Sequence, residues 1–303
     1  MKKIYKEKVV RSLRDREIAK FRWTMLGPGL LILLLINLLP IADTLYTSFF
    51  DTYLPFPQDD KFVGFDNYLN LFKDARFLAS TGRTVAFMLM VLITEIVIGF
   101  GIAISLTSSI KGSKILRGLF LLPIILTPIA TAFMWRIMFS PTLGILNFFL
   151  ETLGIAPQEW IYSPDQALSS VAIVVAWCKM PFMIMVFYTG LLSISEDVID
   201  SCKIDGASAW QQLWKIKLPL MKKVFFVAVL FQTVDTAKEF DLTFILTRGG
   251  PGSATESLSV YTYLNSFGFL KMGYGSASAV LLSILIICLA AIIIKFGGIN
   301  FDE

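Results

Sequence analysis

An all-α integral membrane protein with six transmembrane helices is the fold this sequence predicts, on three observations. The 303-residue chain is 55% hydrophobic and only 17% charged, with a mean hydropathy of +0.69. A soluble domain of that size would need a larger charged surface. Six segments reach the roughly 20 apolar residues that a hydrocarbon core requires: 23–50, 84–108, 115–140, 167–192, 223–247 and 274–298. Basic residues also divide unevenly, with eighteen in alternate connections and six in the opposite ones.

The first 22 residues hold nine of these cations, and the apolar run behind them is too long for a signal-peptide core, so 1–22 is expected to be a retained cytoplasmic tail. The 109–117 loop and the 194–222 region carry most of the others. The positive-inside tendency then places both termini in the cytoplasm, with 299–303 as a short cytoplasmic end and 23–298 as one transmembrane domain. On the opposite side, FVGFDNYLNLF within 51–83 predicts a short helix after a turn. LGILNFFLETL, between Pro141 and Pro157, has the spacing of a helix lying in the interface.

Several chemistries are excluded or unsupported. The chain has no histidine, and Cys178, Cys202 and Cys288 are far apart, which supports neither a disulfide framework nor a zinc site. No basic-aromatic patch suggests nucleic acid. GSK at Gly112–Lys114 lacks the first glycine of a phosphate-binding loop.

One segment is out of character with its apolar surroundings: DSCKIDGASAWQQLWKIKLP, Asp200 to Pro219. Ser195 is placed to cap a helix over 195–204, with Glu196 and Asp197 in its first turn. Asp205-Gly206 supplies a turn. A second helix is predicted over 207–216, with Trp210, Leu213 and Trp214 on one face, and Pro219 disfavours helix at Leu218. An amphipathic helix resting in the headgroups is the plain reading of that pattern.

The residues also resemble a signature. Asp200-Ser201-Cys202, Asp205-Gly206-Ala207 and Leu218-Pro219 are similar to the glutamate-alanine-alanine and aspartate-glycine-alanine triplets and the leucine-proline pair of the coupling loop in ABC importer permeases. The first triplet departs from the pattern: its acid is shorter by a methylene, and serine and cysteine replace two alanines. Further stretches resemble the carbohydrate-importing branch of that family in chain order: LRGLFLLPIILTPIATAFMWRIMFSPTLGILN, FDLTFILTRGGPG and YTYLNSFGFLKMGYGSASAVLL. The subgroup suggested is the first permease of maltose- or glycerol-phosphate-type importers.

The resemblance implies a type I ABC importer permease fold and a non-enzymatic translocation subunit that moves a carbohydrate by alternating access. It implies a second permease as heterodimer partner, an extracytoplasmic solute-binding protein and two ATP-binding subunits. No cofactor is expected on this chain, with ATP and magnesium held by the partner ATPase subunits. Asp200, Ser201, Cys202, Asp205, Gly206, Ala207 and Trp210 are then the expected contacts to the ATPase.

Charged residues inside spans are costly and mark candidate sites. Gln232, Asp235, Thr236 and Glu239 recur at i, i+3, i+4 and i+7, one stripe of a helix, which in lipid would be prohibitive. By position in the family this stripe contacts sugar. Span four adds Lys179 and Phe182. Span three adds Ile124, Thr127 and Pro128, where Pro123 and Pro128 loosen the helix. Amide and carboxylate groups suit a polyhydroxylated ligand, and charges of both signs leave a charged one, such as a uronic acid or phosphodiester, open as well; an internal Lys179–Asp235 or Lys179–Glu239 ion pair would also account for the charges. Glu95 lies mid-span with no partner identifiable from sequence. An ion-coupled secondary transporter using these acids is the alternative function, but it leaves the coupling loop without a role.

Overall fold

The computed structural model describes residues 2–107 and 113–298. The expected C-terminal end 299–303 and the centre of the basic 109–117 loop, including Lys111, lie outside the described residues. The tail does not stop before the first span: a single helix, α1 (Lys2–Thr47), runs through both. Along its apolar part, Lys20–Thr47, the most apolar stretch has no buried residue, although the helix touches α14. There Thr24, Asn37 and Thr44 return their side-chain donors to the carbonyls of Lys20, Leu33 and Pro40 at 2.7–2.8 Å, which satisfies polar groups that an apolar solvent would not.

A two-stranded antiparallel ribbon, β1 (Phe50–Asp51) and β2 (Lys61–Phe62), follows, then the expected short helix α2 (Asp66–Lys73). Asn67 of α2 ties the ribbon down, donating to the Ser48 and Phe50 carbonyls at 2.9 Å each. The scaffold proper is the pairing of α3 (Ala75–Thr107) with the later α7 (Pro164–Leu192). At one end Phe87 and Val91 meet Val171, Val174 and Val175; at the other Ala103 and Leu106 meet Met183, Ile184 and Phe187. Gly99 makes that approach possible, since a Cβ there would already sit 3.4 Å from the Met183 Cβ.

Between them the predicted third span is not one helix. α4 (Ser113–Leu121) ends in a tight turn at Leu122–Ile125, and α5 (Pro128–Met138) departs at 101° to it. Pro128 takes the first helical position, where its missing N–H costs nothing, and the Thr127 hydroxyl accepts from the Ala130 amide. The prolines restart the helix rather than merely loosening it. The predicted interfacial helix is α6 (Ile145–Thr152), with Ile145, Phe148 and Phe149 exposed and Asn147 buried.

The loop after α7 holds α8 (Glu196–Ile204), α9 (Ala209–Gln212) and α10 (Leu218–Leu220). A wide π turn over Leu213–Lys217 joins the last two, and its Leu218 amide reaches back to Leu213. Leu218 is helical, contrary to the expectation from Pro219. The wider turn relieves the clash between a proline ring and the carbonyl four residues earlier.

The predicted fifth span is also divided. α11 (Lys222–Ala237) stops, Lys238–Phe240 leave helical geometry, and α12 (Asp241–Thr247) restarts. The Glu239 carboxylate accepts the Leu242 amide at 3.1 Å, so this acid caps the new helix instead of extending the old stripe. α13 (Leu258–Tyr263), a second π turn at Leu264–Gly268 and α14 (Met272–Gly297) complete the chain. Among the described residues, four helices are long and apolar enough to cross a membrane, or five if the bent pair counts as one span. At the end opposite α8, buried Glu256 is clasped by Arg76 at 2.6 and 2.8 Å and by Ser80 at 3.1 Å.

Candidate functional site

α7 and α11 cross so that Lys179, Phe182, Gln232 and Asp235 share a cavity of about 330 Å³, completed by Ile124, Cys178 and Phe231. Five of the nine residues expected from sequence therefore line it. Thr236 is buried one turn along α11, and its hydroxyl has no hydrogen-bond partner among the described residues. Glu239 lies beyond the end of α11 and reaches the site only through Lys179. Thr127 and Pro128 are exposed at the start of α5 and do not line this cavity. Cys178 and Phe231 flank predicted residues in sequence, and a neighbour's polarity gave no sign that they would face the same space.

The cavity's cation is fully engaged. Lys179 Nζ lies 2.7 Å from Asp235 Oδ2, 3.1 Å from the Asp235 carbonyl and 2.9 Å from Glu239 Oε2. Both ion pairs that the sequence left open thus occur together. Asp235, half exposed, has a second cation in Lys238 at 3.3 Å. Glu95 finds its partner here too: Gln232 Nε2 donates to its Oε1 at 2.7 Å, deep between α3 and α11.

The loop between α7 and α11 is built from local hydrogen bonds. The Ser195 hydroxyl caps α8, accepting from the Asp197 amide. Gly206, at φ +74°, closes the helix: its amide reaches the Lys203 carbonyl at 3.1 Å and the Ala207 amide reaches Cys202 at 2.9 Å. This is the paired C-terminal motif in which glycine takes the left-handed position. Ser208 and Gln211 form a reciprocal capping box for α9, so the second helix starts two residues later than predicted. Trp210 and Trp214 stack edge to face, 5.4 Å apart, and both remain exposed. Asp200 pairs with Lys203 at 2.8 Å, and the two line a groove of about 480 Å³ with Glu196, Ile199 and Lys217. The exposed Lys203 ammonium is held above its ordinary pKa by its hydrogen bond to Asp200. Cys202 is buried beneath, while Ser201 turns its hydroxyl to the Asp197 carbonyl.

A larger cavity, about 710 Å³, lies among Asp51, Asp66, Asp74, Asn265, Lys271 and Tyr274 at the far end of the molecule. The sequence carried no signal for it, because its walls come from β1, α2 and α14.

Residues 95–296 match the profile of the binding-protein-dependent transport system inner membrane component. The chain belongs to that family. This permease is 33% identical over 293 residues to the trehalose/maltose transport system permease protein of Thermococcus litoralis, covering 96% of this chain and 98% of that one. It is 31% identical over 284 residues to the sulfoquinovosyl glycerol transport system permease protein of Agrobacterium fabrum, covering 94% and 91%. Its fold matches a chain of a bacterial ABC transporter involved in the import of the acidic polysaccharide alginate. The TM-score is 0.80 and the identity 18%, covering 97% of this chain and 100% of that one. The permease therefore has the type I ABC importer fold. It is a translocation subunit of an ATP-driven importer, without an enzymatic role, and the ATPase is a separate subunit. Such a permease is a membrane component that works with a second permease, an ATPase and a binding protein.

Proposed function

We propose that the permease forms one half of a carbohydrate pathway across the cytoplasmic membrane and that the α7–α11 cavity is this chain's share of the substrate site. The observation that carries the reading is the cavity wall itself: an amide and a carboxylate beside the rings of Phe182 and Phe231. Apolar faces with a few convergent polar groups suit a sugar ring and its hydroxyls. The permeases for trehalose/maltose and sulfoquinovosyl glycerol support the substrate class.

In this reading both termini are cytoplasmic, 23–298 is a single domain, and the partner permease is a different chain. Two ATP-binding subunits, holding ATP and magnesium, sit beneath the 194–222 loop. The binding protein docks on the opposite face. Asp200, Ser201, Asp205, Gly206, Ala207 and Trp210 meet the ATPase, with the exposed Trp210–Trp214 edge as the apolar contact; Cys202, expected among these contacts, is buried and supports them from beneath. The loop is well placed to drive the cavity. From Ser208 the chain runs through α9, the π turn and α10 into α11, whose Gln232 is roughly 16 Å beyond Met221 at 1.5 Å per residue. A displacement of the loop is thereby passed to the cavity wall along one helix, biasing inward- against outward-facing states.

Copurification from the native membrane, followed by ATPase assays in vesicles with the binding protein, tests the proposal. A second permease and an ATPase should copurify, and a carbohydrate should stimulate hydrolysis. Transport without ATP by this chain alone would refute it.

A further inference from the structure

Glu95 is the least expected residue of the membrane region. It is completely buried in α3, and it makes one hydrogen bond, from Gln232 at 2.7 Å. Its Oε2 has no partner among the described residues. A buried carboxyl group so poorly satisfied is costly, and an apolar side chain of similar volume would pack the site at least as well. What it does have is control over a neighbour. A glutamine amide has two faces, one donating and one accepting. With Oε1 accepting, whether the carboxyl is charged or carries its proton on Oε2, Gln232 turns its NH₂ toward α3. That commits one of its two N–H groups to Glu95 and leaves the carbonyl free for the cavity.

The other polar wall has the same character. A lysine ammonium has three donors, and Lys179 directs its three at two carboxylates and a backbone carbonyl. The cavity's cation has no N–H left for a ligand. Gln232 and Asp235 offer oxygen acceptors, which complement hydroxyl donors and repel an anion that can only accept.

We propose that Glu95 is a positioning residue that fixes the Gln232 amide, so that this wall presents its carbonyl beside the Asp235 carboxylate and favours a neutral, hydroxyl-donating carbohydrate over an anionic one. This rests on the pathway reading above and names the ligand class for that site.

The test uses the assembled importer in lipid vesicles with its binding protein. Half-saturating concentrations for ATPase stimulation are measured with maltose, trehalose and, as the anionic probe, glycerol 3-phosphate. The binding protein is common to all variants, so changes between variants report on this chain. Wild type should respond to a neutral probe at lower concentration than to the anion. E95L and Q232L should each raise the neutral half-saturation about tenfold, the size of one hydrogen bond lost to a ligand. E95L/Q232L should be no worse than either single variant, because Glu95 acts through Gln232. E95L should also narrow the gap between neutral and anionic probes, since the freed amide can then donate. The exchanged pair E95Q/Q232E again sets one donor against one acceptor and should recover much of what Q232E loses; it decides the matter if E95L does not assemble. Multiplying effects of E95L and Q232L, no recovery in the exchanged pair, or a wild-type preference for the anion would overturn the assignment of Glu95. A Q232L complex with unchanged response, or no response to any probe, would overturn the cavity as the substrate site and the inference with it.

Discussion

Replacing Lys179 by methionine removes the cation between two acids, and the exposures of those acids set the size of the effect. Glu239 and Lys179 have side chains only 10% and 15% exposed. Breaking such a pair strands a charge and costs about 3–5 kcal/mol. Asp235 is 48% exposed and retains Lys238 at 3.3 Å, so its contribution is that of a surface pair, about 0–1 kcal/mol. Nearly all of the loss should therefore arise at Glu239. At the lower bound of about 3 kcal/mol, Tm of the purified complex, followed by tryptophan fluorescence, should fall by roughly 6–12 °C. D235N should shift it by only a few degrees. Neutralising the stranded acid as well, in K179M/E239Q, should restore most of the loss, because a glutamine carbonyl can still accept the Leu242 amide that Glu239 now caps. The reasoning fails if K179M is no worse than D235N, or if the double variant loses the sum of both single effects.

Three further outcomes follow from other parts of the chain. Gly206→Val forces a β-branched residue to φ +74° with nothing within 4 Å of its Cβ. The cost of about 1–2 kcal/mol is therefore purely conformational; ATPase stimulation by the binding protein should be lost in G206V and kept in G206N. At Gly273 an added Cβ would overlap the Phe50 carbonyl, which is backbone and cannot step aside. G273A should thus reduce the yield of assembled complex, while G101A, with open space around it, should not. Asp74, just outside α3, is pushed up by burial, but hydrogen bonds from Tyr261 and Tyr274 and the Arg76 amide outweigh this and hold its carboxyl below the ordinary range. Its stabilising effect is then fully present above the unfolded value near pH 4 and is lost as pH falls through the lower folded value. D74N should lower Tm at pH 7, and the difference from wild type should shrink below about pH 4.

The parts of this permease that were legible in its sequence are those whose cause is local. Ser195, Gly206 and their neighbours exchange hydrogen bonds within five residues, so the helix, the stop and the turn could be read in order. The continuous apolar spans were legible because length and composition alone decide them. The breaks were not, since an apolar run hides the point at which a helix restarts. Thr127-Pro128 is a good helix start, yet the long apolar run 115–140 concealed a bend of 101°. Glu239 looked like the last member of a stripe on span five, but its carboxylate reaches the Leu242 amide and ends that periodicity. Partners across the bundle were illegible for a different reason. Glu95 and Gln232 are 137 residues apart, and no pattern within α3 distinguishes a carboxyl that orients an amide from one that pairs with a lysine. An acid inside a membrane segment shows from sequence only what it costs. What it does depends on which donor the packing of α3 against α11 brings to it, and here that donor is an amide whose other face belongs to the cavity.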